Sequence, residues 1–366
     1  MECNETDIIF SFIAEWLDPH SQLLKEYLLT YHVNTSEVEM NDLNTRRKFL
    51  KRTKLPPTLN QSDLVKGSTI VLLSRQLKLV DYADTATRQL LQEKEEKMTI
   101  LVTPTLTDSI GDIVMRVERL DCVLVDMKSI HFSSSIEDIN EAAQLLPGME
   151  LKDLCSSSSP FVALSFRGSD SITSVRASVE SSPFCNGVAC PCAGQEKEFA
   201  EFFLNKLRQT TATLKECTAC VIRPHIIKDR MIGQVLNDIV DRGFLISAIQ
   251  MFRLDKETAA EFLSVYKGVF PQYVELVDEM SSGMSIALEL KRDSNFTGDI
   301  VADFRAHAGP WDYAVACELH PQTIRAKFGK NNVCNAIHCT DLSEDGVIEC
   351  EYFFKVLASR QVPNDR

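Results

Sequence analysis

The most constraining feature of the sequence is an internal repeat, because a chain that carries one folding unit twice has few ways to arrange it. The segment MTILVTPTL around Pro104 matches TACVIRPHI around Pro224, 120 residues further along. In each copy an apolar strand pattern ends at the proline, and a polar turn with a glycine, Gly111 or Gly233, leads into a helical pattern. The sequence therefore predicts two copies of one α/β unit.

Later strands repeat as well, until the spacing between the copies jumps. CVLVDMK at 122–128 corresponds to FLISAIQMF at 244–252, and FVALSF at 161–166 corresponds to SIALEL at 285–290. Beyond them VRA in the first copy matches IRA in the second at a separation of 149 residues, so the first copy lacks about 25 residues. The order βαββαβ predicts a ferredoxin-like sandwich, with helices on one face of an antiparallel sheet.

The first 92 residues have a different pattern, in which short apolar runs alternate with turns. TIVLLSR at 69–75 and LKLVDYA at 77–83 are typical of strands, and Pro56-Pro57 is a break between such runs. Residues 85–97, TATRQLLQEKEEK, are typical of a charged helix or a linker. This part of the chain is predicted to be a small, mostly β domain that ends near residue 92.

Composition narrows the class of protein. A net charge of −13 argues against the basic face that broad nucleic-acid binders need. The sequence contains no apolar run of membrane-spanning length and no pattern of a secretory leader, so a reducing cytoplasmic setting is expected, in which most of the twelve cysteines stay free. The group Cys185, Cys190 and Cys192 lacks the spacing of a structural zinc site, and Cys217 and Cys220 would lie at the edge of a strand and inside it, so thiols rather than zinc are expected.

The segment NAIHCTD at 335–341 carries the strongest chemical signal. A histidine at the end of a strand, such as His338, becomes a nucleophile when a carboxylate holds its other ring nitrogen, and Glu349 follows in the next helical pattern. Upstream, Arg305 and Arg325 would clamp phosphate oxygens. Taken alone, a histidine at a strand end is more often structural, and each arginine is as well explained by a surface ion pair. No GxxxxGK[ST] motif occurs, which excludes a P-loop mechanism.

Over residues 217–356 the chain resembles the nucleoside diphosphate kinase family, whose active-site signature is similar to NAIHCTD. The whole chain, with segments such as FIAEWLDP, YKGVFPQY and KFGK, is similar to members of that family in which a DM-ten domain precedes two kinase-like modules. The resemblance implies an α+β chain with three parts. These are a small β-rich DM-ten domain at 1–92, a degenerate ferredoxin-like nucleoside diphosphate kinase-type module at 98–206, and a second such module with His338 at 217–358.

The resemblance also implies roles for the residues of the second module. His338 would take the γ-phosphate from a nucleoside triphosphate and pass it to a diphosphate, while Glu349 orients the imidazole. Asn335 would contact the sugar 3′-hydroxyl. The implied phosphate neighbours are Arg223, Tyr266, Arg305 and Arg325. Mg²⁺ would bridge the phosphates without a protein ligand of its own.

The sequence departs from the family pattern at the phosphate end of this site. Arg223 and His225 stand where the family has a lysine and an aspartate. Trp311 stands where a threonine lies near the phosphates, and its indole is large enough to block a nucleotide. Gln272 stands where a phenylalanine stacks on the base, and Phe270 or Tyr273 would have to replace it.

The first module departs further. It keeps Asn186, but Ala189 stands where the histidine belongs, and an alanine cannot carry phosphate. Thr103 and Thr105 replace the lysine and the aspartate. This module is therefore predicted to be a copy without catalysis.

Three functions remain open. The resemblance points to a structural protein inside axonemal doublet microtubules of cilia and flagella, also associated with centrosomes. Its partners would be tubulin, other proteins of the axonemal lumen and the γ-tubulin ring complex, and neither nucleic acid nor membrane. The alternative is a weak or regulated nucleoside diphosphate kinase that uses Mg²⁺ with ATP and nucleoside diphosphates. A third is a module that senses nucleotide without turnover.

Overall fold

A computed structural model describes residues 8–18, 21, 23–57, 59–66, 68–92, 96–120, 122–132, 136–146, 159–168, 170–205 and 210–360. The first seven residues, where a secretory leader would begin, and residue 206, the predicted end of the first module, lie outside these ranges. The chain divides into two compact units, Met1–Glu95 and Glu96–Arg366.

The N-terminal unit is a six-stranded antiparallel sheet in the order β4-β3-β2-β1-β6-β5. Apart from β4, its strands alternate buried positions with more exposed ones, and its core contains Phe12, Tyr27, Leu29, Leu77 and Leu79. The predicted β-rich character of this part is confirmed. The elements are β1 (Ile9–Leu17), β2 (Leu24–His32), β3 (Glu37–Asp42), β4 (Lys48–Lys54), β5 (Thr69–Leu72), β6 (Arg75–Tyr82) and the helix α1 (Thr85–Gln92).

The C-terminal unit is built on one eight-stranded antiparallel sheet, in the order β10-β7-β9-β8-β12-β13-β11-β14. The order is symmetric about its centre. From the edge of the sheet inward, each repeat contributes its last, first, third and second strands, and the two second strands are neighbours at the centre. Each half has the strand order of a ferredoxin-like unit. The strands are β7 (Glu96–Val102), β8 (Cys122–Ile130), β9 (Phe161–Gly168), β10 (Val188–Ala189), β11 (Thr218–Ile222), β12 (Leu245–Arg253), β13 (Met284–Lys291) and β14 (Ile337–Cys339).

Helices connect these strands in both halves. Thirteen of them are described, and the twelfth, α13, continues through a π-helical segment, Tyr352–Leu357, into the last. The helices are α2 (Ile110–Glu118), α3 (Ile136–Leu145), α4 (Ser171–Glu180), α5 (Glu196–Phe203), α6 (Pro224–Lys228), α7 (Ile232–Asp241), α8 (Lys256–Phe262), α9 (Tyr273–Met280), α10 (Ile300–Ala308), α11 (Tyr313–Leu319), α12 (Ile324–Phe328), α13 (Gly346–Glu351) and α14 (Ala358–Arg360).

The two modules are joined where α2 crosses α7. A methyl group added to Gly111 would lie 2.7 Å from the carbonyl oxygen of Gly233, and one added to Gly233 would lie 2.5 Å from the carbonyl oxygen of Gly111. The carboxylate of Glu118 accepts hydrogen bonds from the backbone N–H groups of Ile232 (3.0 Å) and Gly233 (3.2 Å) at the start of α7. The paired repeat glycines, expected from the sequence to lie in turns, are therefore the close contact between modules.

Helices cover both faces of the sheet in the second module. Along β11, Cys220 and Ile222 belong to one buried cluster, while Ala219 and Val221 belong to another on the opposite face. The expectation that helices lie on one face only is wrong for this module, since all five residues of β11 are buried.

The connection before the last strand differs between the modules. Only α4 is described between β9 and the short 3-10 turn that leads into β10, whereas α10, α11 and α12 lie between β13 and β14. This difference accounts for the residues that the first copy lacks.

No described helix has both the length and the apolar character needed to cross a bilayer.

Candidate active site

His338 lies in β14, next to β11, and is only 2% exposed. Its Nε2 lies 2.9 Å from Oε2 of Glu349, in α13. The same carboxylate oxygen accepts a hydrogen bond from the hydroxyl of Thr340 at 3.0 Å, and that hydroxyl in turn accepts from the N–H of Ala219. Glu349 is thus fixed from two sides, and it fixes the orientation of the imidazole.

The other ring nitrogen of His338, Nδ1, is buried and has no hydrogen-bond partner. Aromatic side chains surround the ring, with Phe262 edge-on at 4.7 Å and Tyr266 at 6.2 Å between ring centroids. An imidazole whose Nε2 is engaged by a carboxylate has Nδ1 left as its nucleophile. His338 and Glu349 therefore have the geometry of a nucleophile with an orienting carboxylate, but Nδ1, the nucleophilic atom, is buried.

A cleft of about 750 Å³ opens beside this pair. Its wall contains three aromatic rings, two arginines and three carboxylates, together with aliphatic groups at its rim. Glu349 lines the cleft and His338 does not. The polar and aromatic lining residues are Tyr266, Phe270, Trp311, Arg305, Arg325, His320, Asp341, Asp345 and Glu349.

Asp341 engages two of the predicted phosphate neighbours. The hydroxyl of Tyr266 donates to Asp341 Oδ2 at 2.5 Å, and burial together with this hydrogen bond raises the pKa of Tyr266 above its usual range. Arg305, which is half exposed, donates to the carbonyl oxygen of Asp341 and lies 3.5 Å from its carboxylate. Asp341 was not singled out from the sequence, although it lies three residues after His338.

Trp311 lies beside the other two predicted phosphate ligands. The guanidinium carbons of Arg223 and Arg325 are 5.6 Å and 5.4 Å from its ring centroid, and Phe270 stacks on it at 4.5 Å with an interplanar angle of 19°. Arg325 donates to the carbonyl oxygen of Gly309 at 2.8 Å. The indole therefore occupies the space beside both guanidinium groups.

Arg223 is fully buried, and burial lowers the pKa of its guanidinium. It donates to the carbonyl oxygen of Val333 at 2.9 Å and lies 3.6 Å from the carboxylate of Glu279. Asn335 is also fully buried, and neither its amide nitrogen nor its amide oxygen has a hydrogen-bond partner. Both residues lie behind the cleft rather than in its lining.

The second departure from the family pattern, His225, holds the segment before His338. Its Nε2 accepts the N–H of Ala336 at 3.2 Å, so its ring proton is on Nδ1, which donates to Glu279 at 2.8 Å. Ala336 has a φ of 72°, in the left-handed region that strains a residue with a Cβ. Its carbonyl oxygen accepts the N–H of Arg223 at 3.0 Å. These contacts, here called the Ala336 clamp (Arg223, His225 and Glu279), fix the turn into β14.

His225 and Glu279 also form a group with Cys334 whose ligand atoms lie within 4.8 Å of one another. A metal at this group would take the place of the proton on Nδ1 of His225. The neutral ring would then carry its proton on Nε2, facing the Ala336 N–H, and the two donors would repel. The geometry therefore favours the hydrogen-bonded clamp over a metal site.

In the first module, β10 pairs with β7 as β14 pairs with β11. Val188 lies opposite Val102 and Ala189 opposite Leu101, in the positions that Ile337 and His338 have opposite β11. The strand register thus places Ala189 where the second module has His338.

The second module and the whole chain are similar to known proteins. Residues 216–358 match the family model of nucleoside diphosphate kinase. Over 374 aligned residues, 95% of this chain and 93% of the relatives, the sequence is 35% identical to nucleoside diphosphate kinase homolog 7 from Rattus norvegicus and from Mus musculus. A nucleoside diphosphate kinase from Chloroherpeton thalassium is 38% identical over 139 residues, which cover 38% of this chain and 92% of that relative.

Proposed function

The chain belongs to the nucleoside diphosphate kinase homolog 7 family, and from that premise we propose that it is a structural protein inside axonemal doublet microtubules. In this role its kinase-type modules act mainly as packing surfaces. The expected partners are tubulin and other proteins of the axonemal lumen, with the γ-tubulin ring complex at centrosomes.

The observation that favours a structural role over catalysis is the position of Trp311. Phosphate recognition depends on cations whose donors point at the ligand. Arg223 and Arg325 instead donate to backbone carbonyl oxygens, and the indole lies against both of them. Arg305 faces the cleft, but it is tied to Asp341. The cleft is therefore poorly prepared to receive a triphosphate.

The same residues fit an Mg²⁺-nucleotide poorly. A magnesium ion on a nucleotide needs phosphate oxygens held near it, and it keeps most of its water shell. The space for those phosphates is next to Trp311, and the carboxylate of Asp341 already accepts from Tyr266. The cleft in this form therefore does not hold the phosphates that would carry the ion.

The first module supports a packing role independently. It keeps the strand order and the helix crossing at Gly111, yet it has Ala189 in place of a nucleophile. A module without a nucleophile contributes surface and stability only. Two modules fused through one sheet offer a large rigid surface of the kind that long-lived assemblies use.

A second candidate, nucleoside diphosphate kinase activity, is favoured by one specific observation. Glu349 holds Nε2 of His338 at 2.9 Å, and Nδ1 has no partner. In that reaction Nδ1 would attack the γ-phosphorus of ATP, the bond to the β-phosphate oxygen would break, and ADP would leave. A diphosphate would then take the phosphoryl group from Nδ1.

Incubation of the full chain with γ-labelled ATP separates the two candidates. We expect weak acid-labile label on the wild type, none on His338→Ala, and unchanged label on His320→Ala, a matched histidine at the cleft. Trp311→Thr should raise the labelling rate by about tenfold or more, since a freed charged donor is worth about 1.5–3 kcal/mol.

Three outcomes would change the assignment. Wild-type turnover at the rate of an ordinary nucleoside diphosphate kinase would contradict the structural role. Label that survives His338→Ala would contradict the second candidate. Nucleotide binding without label in both the wild type and Trp311→Thr would favour a sensing module instead.

Localisation tests the structural role directly. The tagged wild type and tagged His338→Ala should both appear along axonemes of ciliated cells, because packing does not need the nucleophile. Diffuse cytosolic signal for the wild type would refute the assignment. Loss of the axonemal signal in His338→Ala alone would show that chemistry, rather than surface, is needed there.

A further inference from the structure

The strand β4 is the outermost strand of the N-terminal sheet, and within the described residues it pairs only with β3. Six of its seven residues are exposed. A strand in this position presents one row of backbone N–H and C=O groups to its surroundings. The strand is long enough to pair with another extended segment along its length.

The charge of this strand contrasts with that of the whole chain. Six of the nine residues at 46–54 are lysine or arginine, and none is acidic, in a chain of net charge −13. The two residues before Lys48, Arg46 and Arg47, are exposed as well, so the cations continue into the hairpin turn. Positive charge, opposite in sign to the net charge of the chain, is therefore concentrated at one open edge of the sheet.

Part of this charge is balanced within the sheet and part is not. Lys48 pairs with Glu39 at 2.7 Å, and Arg52 pairs with Glu37 at 2.7 Å, both across from β3. Within the described part of the sheet, Arg46, Arg47 and Lys51 take part in no ion pair. These three side chains are available to an outside carboxylate.

Protection of the edge does not explain this pattern alone. Short length or one or two lysines suffice to prevent pairing between copies of a protein. The opposite edge, β5, is only four residues long and carries no charge. At β4 the charge far exceeds what protection needs, and it would repel a second β4 while attracting a strand of opposite charge.

We propose that β4 is a docking site for an acidic, extended peptide segment of a partner protein, which adds to the sheet as a further strand. Backbone hydrogen bonds would supply much of the affinity, and carboxylates opposite Arg47 and Lys51 would supply the selectivity. This inference concerns the N-terminal unit and does not depend on the function proposed for the kinase-type modules.

Extended peptides fit better than nucleic acids or anionic membranes. Only a peptide can use the row of backbone donors and acceptors along β4. A long polyanion would also meet the negative field of the remaining chain, which a short segment avoids. Nucleic acid and vesicles therefore serve as competing arms of the test.

The test uses the full chain and a synthetic peptide of alternating glutamate and valine, ten residues long. We expect saturable binding and slower amide exchange confined to residues 48–54. The double variant Arg47→Glu with Lys51→Glu should weaken binding about tenfold or more, since two attractive charge contacts are replaced by repulsion. The matched variant Lys78→Glu with Lys215→Glu makes the same change of net charge elsewhere and should bind nearly as the wild type.

A peptide with N-methyl groups on alternate residues keeps its charge but cannot pair as a strand, and it should lose most of its affinity. The proposal is overturned if that peptide binds as well as the parent, because attraction would then be by charge alone. It is also overturned if duplex DNA or phosphatidylserine vesicles bind more tightly than the peptide, or if both double variants lose affinity equally.

Discussion

The two modules of the C-terminal unit share their strand order and differ in the connection before the last strand. Arg305 and Trp311, which shape the cleft, lie in or between helices that, within the described residues, only the second module has. Gly111 and Gly233, which allow the modules to touch, lie in the part that both copies have. What both copies share is therefore the packing of one module on the other, and where they differ is the site, since Ala189 occupies the strand position of His338.

The largest expected effect is at the contact between the two modules, where each repeat glycine lies against the backbone of the other module. Gly233→Ala places a methyl group 2.5 Å from both the carbonyl oxygen of Gly111 and the backbone nitrogen of Met115. Backbone atoms cannot rotate away as a side chain can, so we expect a loss of about 3 kcal/mol in the free energy of unfolding. Urea unfolding followed by Trp311 fluorescence in a Trp16→Phe background measures this loss in the C-terminal unit.

Gly283→Ala is the matched control. Its added methyl group would have the side chain of Pro224 as nearest neighbour, at 3.2 Å, where a small shift suffices. It should change the free energy of unfolding by less than about 1 kcal/mol. Equal losses in both variants would show that the α2–α7 crossing is not a critical contact.

This contact also marks the limit of what the sequence predicts. The repeat, the helical spacing of Ile232, Val235, Leu236 and Ile239, and the β-rich first part were all available from periodicity. The joining of the two modules through one sheet was not, because strand pairing between repeats depends on contacts that no local pattern encodes. The two repeat glycines were predicted to be turn residues for the same reason.

A smaller but clear effect is expected at His225. Its counterpart in the first module is Thr105, so the two modules can be compared at this repeat position. His225→Ala would leave the N–H of Ala336 and the carboxylate of Glu279 buried without this partner, while Ala336 stays strained. We expect a loss of about 2–3 kcal/mol, from one unsatisfied amide and one weakened charge. Amide exchange in β14 should become faster in parallel.

The first module supplies the control at the same repeat position. Thr105 is exposed, and within the described residues its hydroxyl makes a single hydrogen bond, with Thr103 at 2.9 Å. Thr105→Ala should therefore change the free energy of unfolding by less than about 0.5 kcal/mol. Similar losses at 105 and 225 would mean that the Ala336 clamp does not distinguish the second module.

The site itself was only partly predictable from the sequence. Order along the chain placed His338 and Glu349 together, since a signature strand and the next helix must be neighbours. The tie between Asp341, Tyr266 and Arg305 joins side chains that are 75 and 36 residues away from Asp341 along the chain, and the burial of Asn335 depends on packing. Trp311 was expected to obstruct the nucleotide, but its stacking on Phe270 and its contact with two arginines depend on the tertiary fold.

The smallest expected effect is an absence of gain in the first module. Ala189→His in a His338→Ala background puts an imidazole at the matching strand position, and adding Ala200→Glu puts a carboxylate eleven residues later, the spacing of Glu349 from His338. Neither change should restore acid-labile label from γ-labelled ATP.

The reason is the lack of cations that could bind phosphate in the described part of the first module. Arg176, the repeat counterpart of Arg325, donates to the carbonyl oxygen of Pro191 at 2.8 Å. The short connection before β10 offers no counterpart of Arg305 in the described structure, and an oriented nucleophile without phosphate-binding cations has no substrate to attack. Label above the His338→Ala background would contradict this prediction. It would mean that the first module can still bind ATP and that Ala189 is what prevents it from accepting phosphate.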